Sequence, residues 1–168
     1  IDYRITDSVA DPSGLTEHLY TEKLVRLPGC LLCYRPRPEA SVDAKKGDMI
    51  LFCCFNAYPK LSRQTFDLWA QVLLKVPGSH LLLKARSLRD PGVQQQTRTA
   101  FHDRGVDASR LSLLGWTPSV ADALALYNQA DIALDPFPYN GTTTTCEALW
   151  MGVPVITLAG TTHASRMG

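Results

Sequence analysis

Four consecutive threonines follow a glycine in the stretch Asn140-Gly141-Thr142-Thr143-Thr144-Thr145-Cys146-Glu147. Capping a helix takes one hydroxyl rather than four, and threonine is a poor helix former. The free N–H groups at a helix start, aligned with the helix dipole, bind phosphate. Gly141 lets the backbone come close to an anion, and the hydroxyls of Thr142, Thr143 and Thr144 add uncharged donors. Glu147 stands about one turn into the helix, where a carboxylate can accept hydrogen bonds from ribose hydroxyls. The competing reading of the run is a plain helix cap. Lys60 follows Phe55-Asn56-Ala57-Tyr58-Pro59, and its ammonium can neutralise a diphosphate; its alternative is a lysine facing solvent. Asp135 either caps the turn, the favoured reading, or touches ligand, and His163 either faces a ligand or caps the next helix. Neither GxGxxG nor the P-loop pattern occurs, which argues against a standard dinucleotide or ATP site.

These residues need a scaffold, and the apolar periodicity supplies one. Compact apolar runs at 49–55, 80–84, 111–114, 132–134 and 155–158 read as buried strands. Helical segments lie between them. Ser62 precedes Phe66, Trp69, Ala70 and Leu73 at helical spacing, and Pro77-Gly78 stops that helix. Asp90-Pro91 opens a segment over 93–104 that ends at Gly105, and Ser119 with Asp122 forms a helix entry. Residues 143–150 form the last helix, closed by Gly152 and Pro154. Strands alternating with helices predict an α/β fold, a Rossmann-like parallel sheet with helices on both faces. Ligands of such sheets sit beyond the carboxyl ends of the strands. The loops there are 56–60, 115–119 (with Pro118) and 135–145. Trp69 and Trp150 read as core, and His80 and His102 carry no partner signature.

The first forty residues break this rhythm. A helix is expected over 15–25 and a short strand over 30–34. The sequence Arg35-Pro36-Arg37-Pro38-Glu39 then reads as extended. The expected division is an end of one lobe over 1–40, a linker over 41–47 and a second lobe over 48–168. The chain begins at Ile1 and stops within a new helical pattern, so a segment of a longer protein is expected.

Composition narrows the class of partner. A formal net charge of +1 gives no long-range attraction to nucleic acid or membrane. No apolar run approaches the roughly 20 residues of a spanning helix. The cysteine count of 5 is odd and lies in apolar stretches, so buried free thiols and a reducing compartment, cytoplasmic or nuclear, are expected. Cys30-Leu31-Leu32-Cys33 has metal or redox spacing but no second pair, and no metal site is expected.

The stretch 131–154, with its TTTTCE run, resembles the carboxyl-terminal lobe of protein O-linked N-acetylglucosamine transferases (glycosyltransferase family 41), and within them the SPINDLY branch. Residues 1–7 and Leu24-Val25-Arg26-Leu27-Pro28 resemble the end of the family's amino-terminal lobe, and Phe55-Asn56 with Lys60 its first loop. The resemblance implies a two-lobed GT-B enzyme, preceded in the full-length chain by tetratricopeptide repeats. It would move sugar from a nucleotide-sugar to Ser or Thr of protein acceptors, with inversion and without a metal or cofactor. By motif match Lys60 is the catalytic residue, neutralising the departing diphosphate. Asn140, Gly141, Thr142, Thr143, Thr144, Glu147, Pro118 and His163 bind the donor, UDP-N-acetylglucosamine or GDP-fucose. Thr142 and Ala57 stand where the N-acetylglucosamine enzymes have His and Gln, and SPINDLY-type sequences share the Thr at 142; Ala123 departs from both branches, which carry a His near the base. A non-catalytic nucleotide-binding or scaffold module is the alternative. The isolated segment is expected to bind nucleotide weakly and to transfer no sugar.

Overall fold

The computed structural model describes residues 1–37, 41–43 and 47–168. Five parallel strands form the main sheet: β3 (Leu51–Cys54), β4 (His80–Lys84), β5 (Leu111–Leu114), β6 (Ile132–Leu134) and β7 (Val155–Ile156), in the order β5-β4-β3-β6-β7. Before them β1 (Tyr3–Asp7) and β2 (Lys23–Leu27) form a separate parallel pair, in register Tyr3↔Lys23 to Asp7↔Leu27.

Each strand of the main sheet contributes side chains alternately to two cores. On one face Phe52, Cys54, Leu81 and Leu83 pack under α1 (Arg63–Lys75) and α2 (Pro91–His102), through Phe66, Trp69, Leu73 and Phe101. On the other, Leu51, Cys53 and Leu82 meet α3 (Val120–Ala125) and α4 (Thr143–Trp150) through Leu124, Ala148 and Met151. Helices therefore cover both faces, as the alternation of segments predicted. Cys53 and Cys54 point to opposite faces because adjacent strand residues must.

Local chemistry fixes the helix starts. The Ser62 hydroxyl accepts from the Thr65 N–H, the Asp90 carboxylate accepts from Gly92 and Val93, and Ser119 with Asp122 closes a reciprocal capping box. Gly78, at φ +77°, ends the turn after α1 in a conformation that side chains resist.

Chain order makes one position on the sheet special. The chain moves outward from β3 to β4 and β5, then returns to lay β6 on the other side of β3. The loops after β3 and β6 thus diverge and leave a crevice between them, where open α/β sheets bind ligands.

Several expectations need correction. Residues 15–25 form no continuous helix. A single 3-10 turn, Glu17–Leu19, is followed by strand β2, whose residues alternate in exposure and pair with β1. Alternation and the β-branched Val25 outweigh the helical spacing there. Residues 30–34 run without a strand partner, and β7 spans only Val155–Ile156 of the expected 155–158. Trp150 is 46% exposed, so it is not core, while Trp69 is buried. All five cysteines are free, but Cys30 and Cys33 are exposed and only Cys53 and Cys54 are fully buried. Pro38 and Glu39, and residues 44–46 of the expected linker, lie outside the described residues. Among the described residues no helix is long and apolar enough to cross a membrane.

Ser62 joins two elements, because its hydroxyl also donates to the Phe137 carbonyl. Ser62→Ala is expected to destabilise the chain by about 1–2 kcal/mol, the upper range for a lost cap. Chemical denaturation of both proteins checks this, with an unchanged m-value expected.

Candidate functional site

The β3–β6 crevice is walled by two loops. From the first, the Lys60 ammonium donates to the carbonyl of Asn140 at 2.8 Å and lies 4.3 Å from the centre of the Tyr139 ring. Burial pushes its pKa below that of an ordinary lysine, and the negative charge near Asp135 only partly offsets this. From the second loop, Asp135 ends β6 and turns back on itself. Its carboxylate accepts from the Gly141 N–H at 2.6 Å and from the Thr157 hydroxyl at 2.8 Å. Burial raises the Asp135 pKa despite those donors. Its capping role is the one its place in the sequence suggested.

Asn140 is wholly buried. Its N–H donates to Ala164 and its side-chain amide to the Pro136 carbonyl, while its side-chain oxygen finds no partner. Gly141 is required by close approach, since a Cβ there would stand 2.6 Å from the Thr144 hydroxyl and 2.9 Å from both the Asp135 carboxylate and the Thr145 hydroxyl. Thr142 precedes α4, and its hydroxyl makes no capping bond. Thr143, the first helical residue, is exposed. The Thr144 hydroxyl donates to the Asn56 side-chain oxygen at 2.8 Å, tying the first turn of α4 to the loop after β3. The Thr145 hydroxyl is buried without a partner. The fold therefore brings Lys60, Asn140, Gly141 and the threonines to one place. It leaves the α4 amino end with N–H groups that its own side chains do not satisfy.

Glu147 and Pro118 meet elsewhere, in a pocket of about 420 Å³ at the same edge of the sheet. Lys84, Trp116 and Ala123 also line it. Burial raises the Glu147 carboxyl, with Lys84 and Arg37 pulling it back, and burial lowers Lys84, with Glu147 opposing. Trp116 is 62% exposed, an open aromatic face at the pocket rim. His163 does not line the pocket of Glu147; its ring bonds to Asp11 at 2.7 Å, and the next residue, Ala164, accepts the Asn140 N–H at 2.9 Å. Sequence reasoning missed Lys84, Trp116, Tyr139 and the role of Asn56. An exposed tryptophan in a loop beyond a strand end was the one available signal.

The amino-acid sequence matches the Glycosyl transferase family 41 profile over residues 43–168. The chain belongs to glycosyltransferase family 41. It is 41% identical, over its whole length, to proteins named probable UDP-N-acetylglucosamine–peptide N-acetylglucosaminyltransferase SPINDLY from Arabidopsis thaliana and Oryza sativa subsp. japonica. It covers 19% and 18% of those proteins, about a fifth of their length. A solved structure of a Thermobaculum terrenum O-GlcNAc transferase mutant, K341M, superposes with TM-score 0.92 at 42% identity, over 99% of this chain and 32% of that one. The five-stranded sheet is thus the Rossmann-like sheet of a GT-B glycosyltransferase.

The Lys60 ammonium, partly buried in the crevice, is the group to titrate. Its lowered pKa means that the charge is lost below the usual 10.5 as pH rises. Affinity for a nucleoside diphosphate is expected to fall on alkaline titration, beginning below pH 10.5, and Lys60→Met is expected to abolish that dependence. Calorimetric titrations with UDP and GDP across the alkaline range, on the full-length protein, check this.

Proposed function

We propose that residues 48–168 form the donor-binding lobe of a protein O-glycosyltransferase and residues 1–40 the end of its amino-terminal lobe. The observation that carries this reading is the partly desolvated Lys60 ammonium, held on the Asn140 carbonyl beside the open amino end of α4. A diphosphate placed there meets a cation, backbone N–H groups and hydroxyls, the donors a leaving diphosphate needs. An acceptor Ser or Thr hydroxyl attacks the anomeric carbon from the face opposite the leaving group, while the bond from that carbon to the diphosphate oxygen breaks and the hydroxyl proton leaves with the diphosphate. Lys60 neutralises the charge that develops there. Inversion follows from that single displacement, and neither metal nor cofactor takes part.

The 420 Å³ pocket then takes the nucleoside, with Glu147 accepting from ribose hydroxyls and Pro118 and Trp116 against the base. The relatives' names support UDP-N-acetylglucosamine as donor. The resemblance to the SPINDLY branch keeps GDP-fucose as the other donor, and Ala123 in the pocket wall, where both branches carry a His, favours neither. Protein acceptors carrying Ser or Thr, tetratricopeptide repeats in the full-length chain and a cytoplasmic or nuclear location belong to the same reading. A non-catalytic nucleotide-binding scaffold is the second reading, favoured by Ala57 and Ala123 standing where the N-acetylglucosamine enzymes have Gln and His.

Incubation of the full-length protein with UDP-N-acetylglucosamine or GDP-fucose and protein acceptors, read by mass spectrometry, tests the proposal. One donor is expected to be consumed, and Lys60→Ala to lower kcat by on the order of 10²-fold or more. Nucleotide binding without transfer of either sugar would establish the scaffold instead.

A further inference from the structure

Asp11 is the most completely buried carboxylate of the amino-terminal segment, with no exposed surface. It stands in the loop after β1, far in sequence from the β3–β6 crevice. Its two oxygens accept from the Tyr20 hydroxyl at 3.0 Å, from the Thr6 hydroxyl, and from His163 Nδ1 at 2.7 Å. Burial opposes its charge, and these donors overcome that and hold its pKa below the usual carboxylate value. A charge so fully met by donors holds its neighbours in fixed geometry.

The turn that carries His163 is bonded on two sides. Toward the amino-terminal segment, His163 reaches Asp11 and Arg166 Nε donates to the Val9 carbonyl at 2.7 Å. Toward the crevice, the carbonyl of Ala164 accepts the Asn140 N–H at 2.9 Å. The Asn140 carbonyl is the acceptor that holds Lys60. Four groups thus connect in series: Asp11, the 163–166 turn, Asn140 and Lys60. The turn is itself closed by a Thr162–Ser165 capping box and by the Gly160 N–H on the Ser165 carbonyl, so it moves as a unit.

We propose that Asp11 is a positioning residue for the diphosphate site, acting through the His163 turn on Asn140 and hence on Lys60. The proposal rests on the donor-lobe reading above. It makes the amino-terminal segment part of donor binding through the bond from Asp11 to the His163 turn. The Asp11 carboxylate fixes the His163 turn, and the turn fixes the carbonyl against which the ammonium is aimed. Without the Asp11–His163 bond, Asn140 loses the support behind its N–H, and Lys60 meets the diphosphate from a wider range of positions.

Calorimetric Kd values for UDP and GDP on the full-length protein test this in a double-mutant cycle. Asp11→Asn keeps the size and removes the charge that holds His163. It is expected to weaken binding about tenfold in the otherwise wild-type protein and less than about twofold in a Lys60→Met background, because the effect travels through Lys60. A structural role alone would lower the melting temperature and leave the Kd ratio the same in both backgrounds, and that result overturns the proposal. Unchanged Kd in Asp11→Asn overturns it as well. If Asp11→Asn does not fold, His163→Gln carries the same comparison, since it leaves the carboxylate bonded to Thr6 and Tyr20. Wild-type protein that binds neither UDP nor GDP defeats the donor-lobe reading itself, a result distinct from a variant that binds normally.

Discussion

Asp135 ends β6 with its carboxylate out of water, and such a group is costly to bury unless donors meet its oxygens. The donors come from two later segments: the Gly141 N–H, from the start of the α4 entry, and the Thr157 hydroxyl, just beyond β7. One buried charge therefore draws the 135–141 turn back on itself and ties it to the neighbouring strand. The turn can close that tightly only because position 141 lacks a Cβ, which would collide with Asp135 and two threonine hydroxyls. Asn140 then has one available place, inside, with its carbonyl turned to Lys60. The Lys60–Asn140 geometry is a consequence of satisfying Asp135.

Lys60 is left in an unusual balance. Its ammonium has one carbonyl acceptor and one aromatic face, and burial disfavours its charge. A group with less solvation than water would give it gains more from an arriving anion than a fully hydrated lysine does. The same logic applies to the amino end of α4, where the hydroxyl of Thr142 does not cap and that of Thr144 is committed to Asn56. Donors held in place before a ligand arrives need no reorganisation when charge develops.

Much of this was legible in the sequence, for reasons that differ by residue. The strands and helices of the main sheet follow from apolar runs and capping residues, because those signals are local. Ser62, Asp90 and the Ser119–Asp122 pair cap as their types and spacing indicate. The amino-terminal segment was misread because its order is not local. Strand β2 exists by pairing with β1, sixteen or more positions away, and residues 15–25 satisfy helical spacing equally well. Lys60 was visible as a lysine beyond a strand, but its contact with Asn140 spans 80 positions and depends on the β3–β6 switch. Lys84 was absorbed into a strand, and only the folded sheet shows that strand β4 delivers it into the pocket beside Glu147. Trp150, by contrast, sits at helical spacing with apolar neighbours, yet it lies on the outer side of α4.

On the donor-lobe reading, recognition divides in two. Around Lys60 the recognising groups are a cation, backbone N–H groups and hydroxyls, which respond to phosphate charge and carry no information about base or sugar. On that reading, the groups that can tell one nucleoside from another lie in the separate pocket of Glu147, Lys84, Trp116 and Ala123. A change such as Ala123 for His alters the shape of that pocket without touching Asp135, Gly141 or Asn140. On the donor-lobe reading, a family can therefore keep the diphosphate site at the start of this helix while its members differ in donor. The run then identifies where the diphosphate lies, and the walls of the pocket decide what is attached to it.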